Sequence, residues 1–424
     1  MTTPTDSEIP ISQAQPKKRR GFWSVVTLTM VTLMVTILGL EIVLRVGLVP
    51  GYAKSETRPL IDNIQEEAMS VGHPYLAYAL KPNLEVDHGQ PHKQTTHNVA
   101  GYRGKLRAVP KPQGTYRILC LGGSSTHGTT PNTDADTWPA RLEAHLTEAS
   151  GKKIEVINFG VFGYSTFESL VNLSFRGVAL EPDLVLVYHS INDMRCALYN
   201  LGGEIKSDNS HWRAIWPEIM PSPGEQLLEK SLVYCALRKK FTGYLARFEV
   251  LDAFAIVNYD PFALDPYSNP TASDVGFDSF RNNLTSIVAI AKAHGAKTMM
   301  ISQAMDRTDL NHDGSRQLQW DSMDRMGRIL LKVSQDTGAG YCEARAVMEQ
   351  AFAKITPETQ AKEVRSKELM ASSDPAQVEE GRKLWMEFSR EGVFTGDVHL
   401  TDNGADILGR AVADTILAGD YLPK

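Results

Sequence analysis

The chain of 424 residues is short of cysteine. It has four, Cys120, Cys196, Cys235 and Cys342. None forms a CxxC pair or has the spacing of zinc ligands, which argues against a zinc module or a disulfide-built scaffold. Cys120 lies within a short apolar run and reads as a small buried hydrophobe. Cys196 and Cys235 could pair in an oxidising compartment, a point the sequence leaves open. An excess of positive charge is also missing. The formal net charge is −6, with 44 Lys and Arg against 50 Asp and Glu, so no basic face points to a nucleic-acid partner. No internal repeat is evident, which excludes a solenoid. Long apolar runs are scarce too, with one exception at the N-terminus. What remains is 42% hydrophobic and 22% charged residues, enough for one large α/β domain with insertions.

The exception is informative. Residues 1–16 have the polar, Pro/Thr/Ser/Gln composition of a disordered tail. Lys17-Lys18-Arg19-Arg20 follow, and Gly21 to Leu40 carry no charge. Ile42-Val43-Leu44 extend the run past Glu41. At about 1.5 Å per residue, such a helix spans the roughly 30 Å of a bilayer core. The basic cluster ahead of it predicts a cytoplasmic N-terminus and an exported remainder. The run exceeds the roughly 7–15 apolar residues of a cleavable signal peptide. An uncleaved signal anchor is therefore expected, although Gly51-Tyr52-Ala53 offers small residues where a peptidase would cut. No cysteine stands near the span to carry a lipid. The expected order is a cytoplasmic tail (1–20), a transmembrane anchor (21–44), a membrane-proximal stretch of loops and short strands (45–114) and a catalytic domain (115–424). His88, His92 and His97 in the third of these lack metal-ligand spacing and read as solvated loop histidines.

From Arg117 onward, strand and helix signals alternate. Arg117-Ile118-Leu119-Cys120-Leu121 runs into Gly122-Gly123-Ser124. Ile154 to Gly160, Asp183 to His189 and Ala296 to Ser302 read as further strands, with a possible fifth near Gly340-Tyr341-Cys342. Helices are expected at Trp138–Ser150, Phe167–Leu180, Phe280–Ala293, Leu318–Thr337 and Asp402–Ala418. Alternation of this kind predicts an α/β fold, a central parallel sheet covered on both faces. Two stretches break the rhythm. Residues 194 to about 275, rich in Trp, Pro, Tyr and Phe, read as an insertion over the C-terminal edge of the sheet. Residues 355–392 read as a charged, solvated helical excursion.

Four short pieces stand just after predicted strands or near the C-terminus. They are Gly122-Gly123-Ser124-Ser125-Thr126, Asn158-Phe159-Gly160-Val161-Phe162-Gly163, Ser190-Ile191-Asn192-Asp193 and Asp397-Val398-His399. Taken in order, they resemble the four blocks of the SGNH (GDSL-type) hydrolase superfamily. The Pro-rich approach and the Asn98–Gly104 loop resemble its membrane-anchored bacterial members. The resemblance implies a three-layer α/β/α, flavodoxin-like sandwich and a serine ester hydrolase that needs no cofactor or metal. It implies Ser124 as nucleophile and His399 as base, because a hydroxyl is a weak nucleophile until its proton is taken. The oxyanion donors it implies are the N–H groups of Ser124 and Gly163 and the side-chain amide of Asn192. Asp397 is the nearest acid to orient His399.

Three departures accompany the match. Gly123 stands where the family has Asp, and Ser190 where it has Gly. Asp397 precedes His399 by two residues rather than three, and Gly396 holds the three-back position. Either the local turn differs or a backbone carbonyl helps to orient His399. His127 and His189 read as packed or pocket-lining residues, and Asp193 as a turn former. Asp309-Leu310-Asn311-His312-Asp313-Gly314 opens like a calcium loop, but its twelfth position is Trp320, which leaves it a polar turn. The expected substrate is an acylated glycan, lipid-like ester or small molecule outside the cytoplasm, met by a domain tethered to the membrane on the extracytoplasmic (periplasmic) side. An O-acyltransferase for a cell-surface polysaccharide would use the same residues, and a non-catalytic binding module is the third reading.

Overall fold

A computed structural model describes residues 20–46, 69–73, 75–76, 78–86, 94–199, 204–213, 228, 231–234, 237, 270–307 and 314–423. The chain divides into two compact units, residues 1–63 with 221–249, and residues 64–220 with 250–424. In the first unit, helix α1 covers Arg20–Val46. Its stretch Trp23–Val46 is long and apolar enough to cross a membrane, a test that a signal sequence would also pass. The hydroxyls of Thr27, Thr29, Thr32 and Thr36 donate to the carbonyl four residues back, so these polar side chains are satisfied within the helix.

The second unit opens with two antiparallel pairs, β1 (Ser70–Gly72) with β2 (Tyr78–Leu80) and β3 (Leu84–Val86) with β4 (Thr95–His97). The central strand β5 (Thr115–Gly122) is buried along its whole length. It leads into the one-turn helix α2 (Ser124–His127), then α3 (Trp138–Ser150) and β6 (Lys153–Asn158). Helix α4 (Thr166–Asn172), β7 (Leu184–Tyr188), α5 (Ile191–Leu198) and the short α6 (Ser210–Arg213) follow. After α7 (Asp274–Ala293) come β8 (Lys297–Ile301), α8 (Gly314–Thr337), β9 (Gly340–Cys342) and α9 (Ala344–Phe352). The chain closes with α10 (Pro357–Met370), α11 (Pro375–Glu391), the strand pair β10 (Phe394–Thr395) and β11 (His399–Leu400), and α12 (Asp402–Ala418).

The five strands β6-β5-β7-β8-β9 form one sheet in that order, every neighbouring pair parallel. This is the doubly wound order in which the first strand lies between the second and third, and ligands bind beyond the carboxyl ends of the strands where the order reverses. One apolar layer packs Leu119, Leu121, Val185 and Val187 against Phe277, Phe280, Leu284 and Met326 of α7 and α8. The other packs Ile118, Cys120, Leu184 and Leu186 against Trp138, Leu142, Leu408 and Val412 of α3 and α12. The alternation along β5 and β7 sends successive side chains to opposite faces, so the three-layer sandwich follows from two hydrophobic strands read at period two. At the far end of β5, buried Arg117 is neutralised by Glu155 on β6 at 2.7 Å.

Three local expectations change. The helix expected through Leu180 ends at Asn172 and continues as a π turn (Leu173–Gly177) and a 3-10 turn (Val178–Leu180). The rewound chain lays Gly177 against Leu119, where a Cβ would come within 2.9 Å of that side chain. The charged excursion is a pair of helices, α10 and α11, that bury Leu369, Trp385 and Phe388. Its charged residues are solvated, but its seam is apolar. His97 is not a solvated loop histidine: it is buried, with Nε2 3.0 Å from Nε2 of His127 and Nδ1 3.1 Å from the Lys81 carbonyl. His88, His92, Cys235, residues 214–227 and 238–269 of the insertion, and 309–313 of the calcium-like loop lie outside the described residues.

Candidate active site

The turn after β5 sets the first side chain. Gly123 follows the strand, and Ser124 opens α2 with its own N–H unbonded among the described residues. The Thr126 and His127 N–H groups return to the Gly123 carbonyl, which bends the chain sharply enough to present Ser124 at the carboxyl edge of the sheet. Ser124 Oγ stands 2.9 Å from His399 Nε2.

His399 reaches that point from the other end of the sequence. β10 and β11 pair with Thr395 opposite His399, leaving Gly396-Asp397-Val398 as the turn. Gly396 sits at φ +63, a left-handed conformation that favours glycine over the family's Asp at this spot. Two bonds fix the turn. Ser125 Oγ donates to the Val398 carbonyl at 2.9 Å, and the Asp306 N–H donates to the Asp397 carbonyl at 2.7 Å. Ser125, one residue past Ser124, thus ties its helix to the chain that carries His399.

Asp397 is near the histidine but not bonded to it among the described residues. Its carboxylate accepts from Arg316 Nη1 of α8 at 3.1 and 3.2 Å. It acts on His399 through charge alone. Burial lowers the affinity of His399 for a proton below the ordinary histidine value, the Arg195 guanidinium lowers it further, and Asp397 opposes them. The turn does differ, and no carbonyl takes a hydrogen bond from His399 among the described residues.

Asn192 sits in the first turn of α5, after β7. Its Nδ2 donates to the Tyr164 carbonyl at 2.9 Å. An amide nitrogen carries two hydrogens, so one remains for a ligand. The absence of a side chain at residue 123 makes room for this amide: a Cβ on Gly123 would lie 2.6 Å from Asn192 Nδ2. The glycine that departs from the family pattern and the asparagine that keeps it are therefore sterically linked. Gly163 lies at φ +76 after β6, and the Tyr164 N–H closes the turn onto the Val161 carbonyl. The Gly163 N–H makes no hydrogen bond among the described residues. The three turns after β5, β6 and β7 thus converge where the strand order reverses.

The neighbouring titratable groups are structural. Asp193 accepts from the Thr166 N–H at 3.0 Å and from its hydroxyl at 2.5 Å, at the start of α4. Burial pushes its carboxyl up to about 7. His189 is held by Ser169 at 2.8 Å, and burial lowers it to about 3. His127 packs edge-on against Phe162. Arg103, from the loop before β5, donates to the carbonyls of His127 and Gly128 and pairs with Asp134, which buttresses the back of α2. From the insertion, Asn209 Nδ2 donates to Ser165 Oγ at 3.2 Å. Sequence reading did not reach Ser125, Arg195 and Arg316. Ser125 sits within a motif that was read for its neighbours, and the two arginines belong to no motif and act through contacts that only the fold creates.

No curated protein matches the sequence. Among solved structures, a catalytic mutant of an acetylxylan esterase from Geobacillus stearothermophilus aligns with 13% identity over 76% of this chain and 100% of its own, with a TM-score of 0.39. An α/β hydrolase enzyme, LAE5, from the metagenome of Lake Arreo, Spain, aligns with 12% identity over 73% of this chain and 96% of its own, with a TM-score of 0.38. The model of the GDSL-like lipase/acylhydrolase family matches residues 120–407, about two thirds of the chain, from inside β5 to inside α12. On that match the chain belongs to the GDSL-like lipase/acylhydrolase family and is an ester-hydrolysing enzyme.

Proposed function

We propose that the protein cleaves an acyl ester through an acyl-serine intermediate on Ser124, outside the cytoplasm, with α1 as its membrane anchor. The observation that carries this reading is the 2.9 Å approach of Ser124 Oγ to His399 Nε2 at the carboxyl edge of the sheet, with donors beside it. In this mechanism His399 takes the Ser124 proton as the oxygen attacks the carbonyl carbon. The C=O electron pair moves onto oxygen, which meets the N–H groups of Ser124 and Gly163 and the second hydrogen of Asn192 Nδ2. His399 then gives its proton to the leaving alkoxide. A water follows the same path in reverse and frees the acid. Asp397 stabilises the imidazolium by its charge. The substrate class is an acylated glycan or small-molecule ester, in keeping with the acylhydrolase family to which the chain belongs.

The test is hydrolysis of p-nitrophenyl acetate by the purified full chain beside Ser124→Ala and His399→Ala. Turnover by the wild type that both variants lose, with an acyl adduct trapped on Ser124, supports the reading. A folded wild type as slow as both variants sinks it. An added oligosaccharide that accepts acetate faster than acetate is released would replace hydrolysis with transfer on the same serine.

A further inference from the structure

The first unit holds a charged contact that the reading above leaves unused. Glu41 is the single acidic residue in α1, near the end opposite the Lys17–Arg20 cluster. A carboxylate at that depth is costly unless it is partnered. Arg45, one turn on in α1, pairs with it at 2.6 Å, and its other partners come from the insertion, 190 residues on. The N–H groups of Leu232 and Val233 donate to Glu41 at 3.0 and 3.1 Å, and the Ser231 hydroxyl donates at 3.0 Å. Ser231 Oγ in turn accepts from the Tyr234 N–H at 3.2 Å. Residues 232–234 are helical, so these are the first-turn N–H groups that a helix leaves unsatisfied. Supplying their acceptors from a neighbouring helix is what an apolar surrounding demands.

The side chains beside this contact face outward. Leu228 is 52% exposed and Leu237 is 64% exposed, while Val233 is buried. Arg238-Lys239-Lys240 follow directly, a cationic run of the kind that meets anionic lipid headgroups. We propose that Leu228, Ser231–Tyr234 and Leu237 form a second membrane contact, seated in the outer interfacial layer of the bilayer and hooked to the spanning helix by Glu41. The occupant of the apolar face is lipid. The patch is continuous with α1 through three hydrogen bonds, and the basic residues that follow it in the sequence suit phosphate headgroups. The proposal rests on reading α1 as a membrane span.

The test uses the full chain in phosphatidylcholine–phosphatidylglycerol vesicles, with Cys235→Ser as background, since Cys120, Cys196 and Cys342 are buried. A fluorophore is attached in turn at Leu237→Cys, at Leu33→Cys within α1, and at Val364→Cys, which is 60% exposed on α10. Lipid-borne nitroxide is expected to quench the probes at 237 and 33 strongly and the probe at 364 weakly, with iodide giving the opposite order. Adding Glu41→Ala or Ser231→Ala should cut nitroxide quenching at 237 several-fold and leave 33 unchanged. A probe at 237 that is as open to iodide as the one at 364, while 33 stays in lipid, overturns the proposal and spares the anchor. A probe at 33 that lipid nitroxide fails to reach overturns both. Unchanged circular dichroism in each variant shows that the fold is kept.

Discussion

The two ends of the candidate site are built in different ways. Ser124 is placed by its own neighbours in the sequence. A buried strand, two glycines and a one-turn helix put the hydroxyl at the sheet edge, and Gly123 leaves the space that Asn192 fills. His399 is placed by distant parts of the chain. Its turn is tied by Ser125 from beside Ser124, by Asp306 after β8, and by Arg316 from α8, which holds the Asp397 carboxylate. A local device survives changes elsewhere in the chain. A turn fixed by long-range bonds can be loosened from several directions without touching the histidine.

The largest effect tests whether the two ends act as one unit. Ser124→Ala and His399→Ala are each expected to lower kcat for an activated ester by about 10⁴ to 10⁶, with the double variant no worse than either single one. Single-turnover measurements on the three variants check it. Losses that multiply in the double variant would mean that Ser124 and His399 work independently and that their 2.9 Å contact is incidental.

The donors come next. Asn192→Ala removes the amide held by the Tyr164 carbonyl and is expected to cost about 10² to 10³ in kcat, as for one oxyanion donor. Gly123→Ala drives a methyl group to within 2.6 Å of that amide, so it should reproduce much of the loss while every catalytic side chain remains. Kinetics of both variants, with melting temperatures to exclude unfolding, decide it. A fully active Gly123→Ala would show that the amide has another place to go.

The same contrast explains what could be read in advance. The strands of the sheet were legible because each is a short apolar run with a turn signal after it, and the doubly wound order is the ordinary way to bury such strands on both faces. The placement of Ser124, Gly163 and Asn192 was legible because each lies between the end of its strand and the first turn of the next helix. The part played by Asp397 was not. Spacing marks it as the nearest acid, but its partner is decided by Arg316, 81 residues away and in no motif. The burial of His97 was equally hidden, because its contact with His127 depends on how β4 packs on α2. The π turn at Leu173–Gly177 depends on the fit of Gly177 to Leu119, which periodicity does not carry.

A smaller effect separates a bonded acid from a merely nearby one. In a triad whose acid is hydrogen-bonded to the histidine, its loss costs about 10⁴. Asp397→Asn here removes charge but no bond to His399, so a loss of only about tenfold is expected, the scale of one screened charge a few ångströms away. A loss near 10⁴ would show that Asp397 leaves Arg316 for His399 when substrate binds. Arg316→Met isolates the hold on Asp397. It should change the rate less than Asp397→Asn, because the carboxylate stays.

The smallest effect lies in the pH profile. His399 must be neutral to accept the Ser124 proton, so kcat/KM rises with pH through its proton affinity in the free enzyme. Burial and the Arg195 charge both disfavour the imidazolium. The midpoint of the rising limb is therefore expected below 6.5, the ordinary histidine value. Removing the cation in Arg195→Met should move that midpoint up, since a nearby positive charge no longer opposes protonation. Removing the anion in Asp397→Asn should move it down. The two shifts have opposite signs, whereas general damage to the site would lower the plateau and leave the midpoint in place. Shifts of the same sign in both variants would mean that His399 does not feel these two charges as the geometry places them, and that the rising limb belongs to another group.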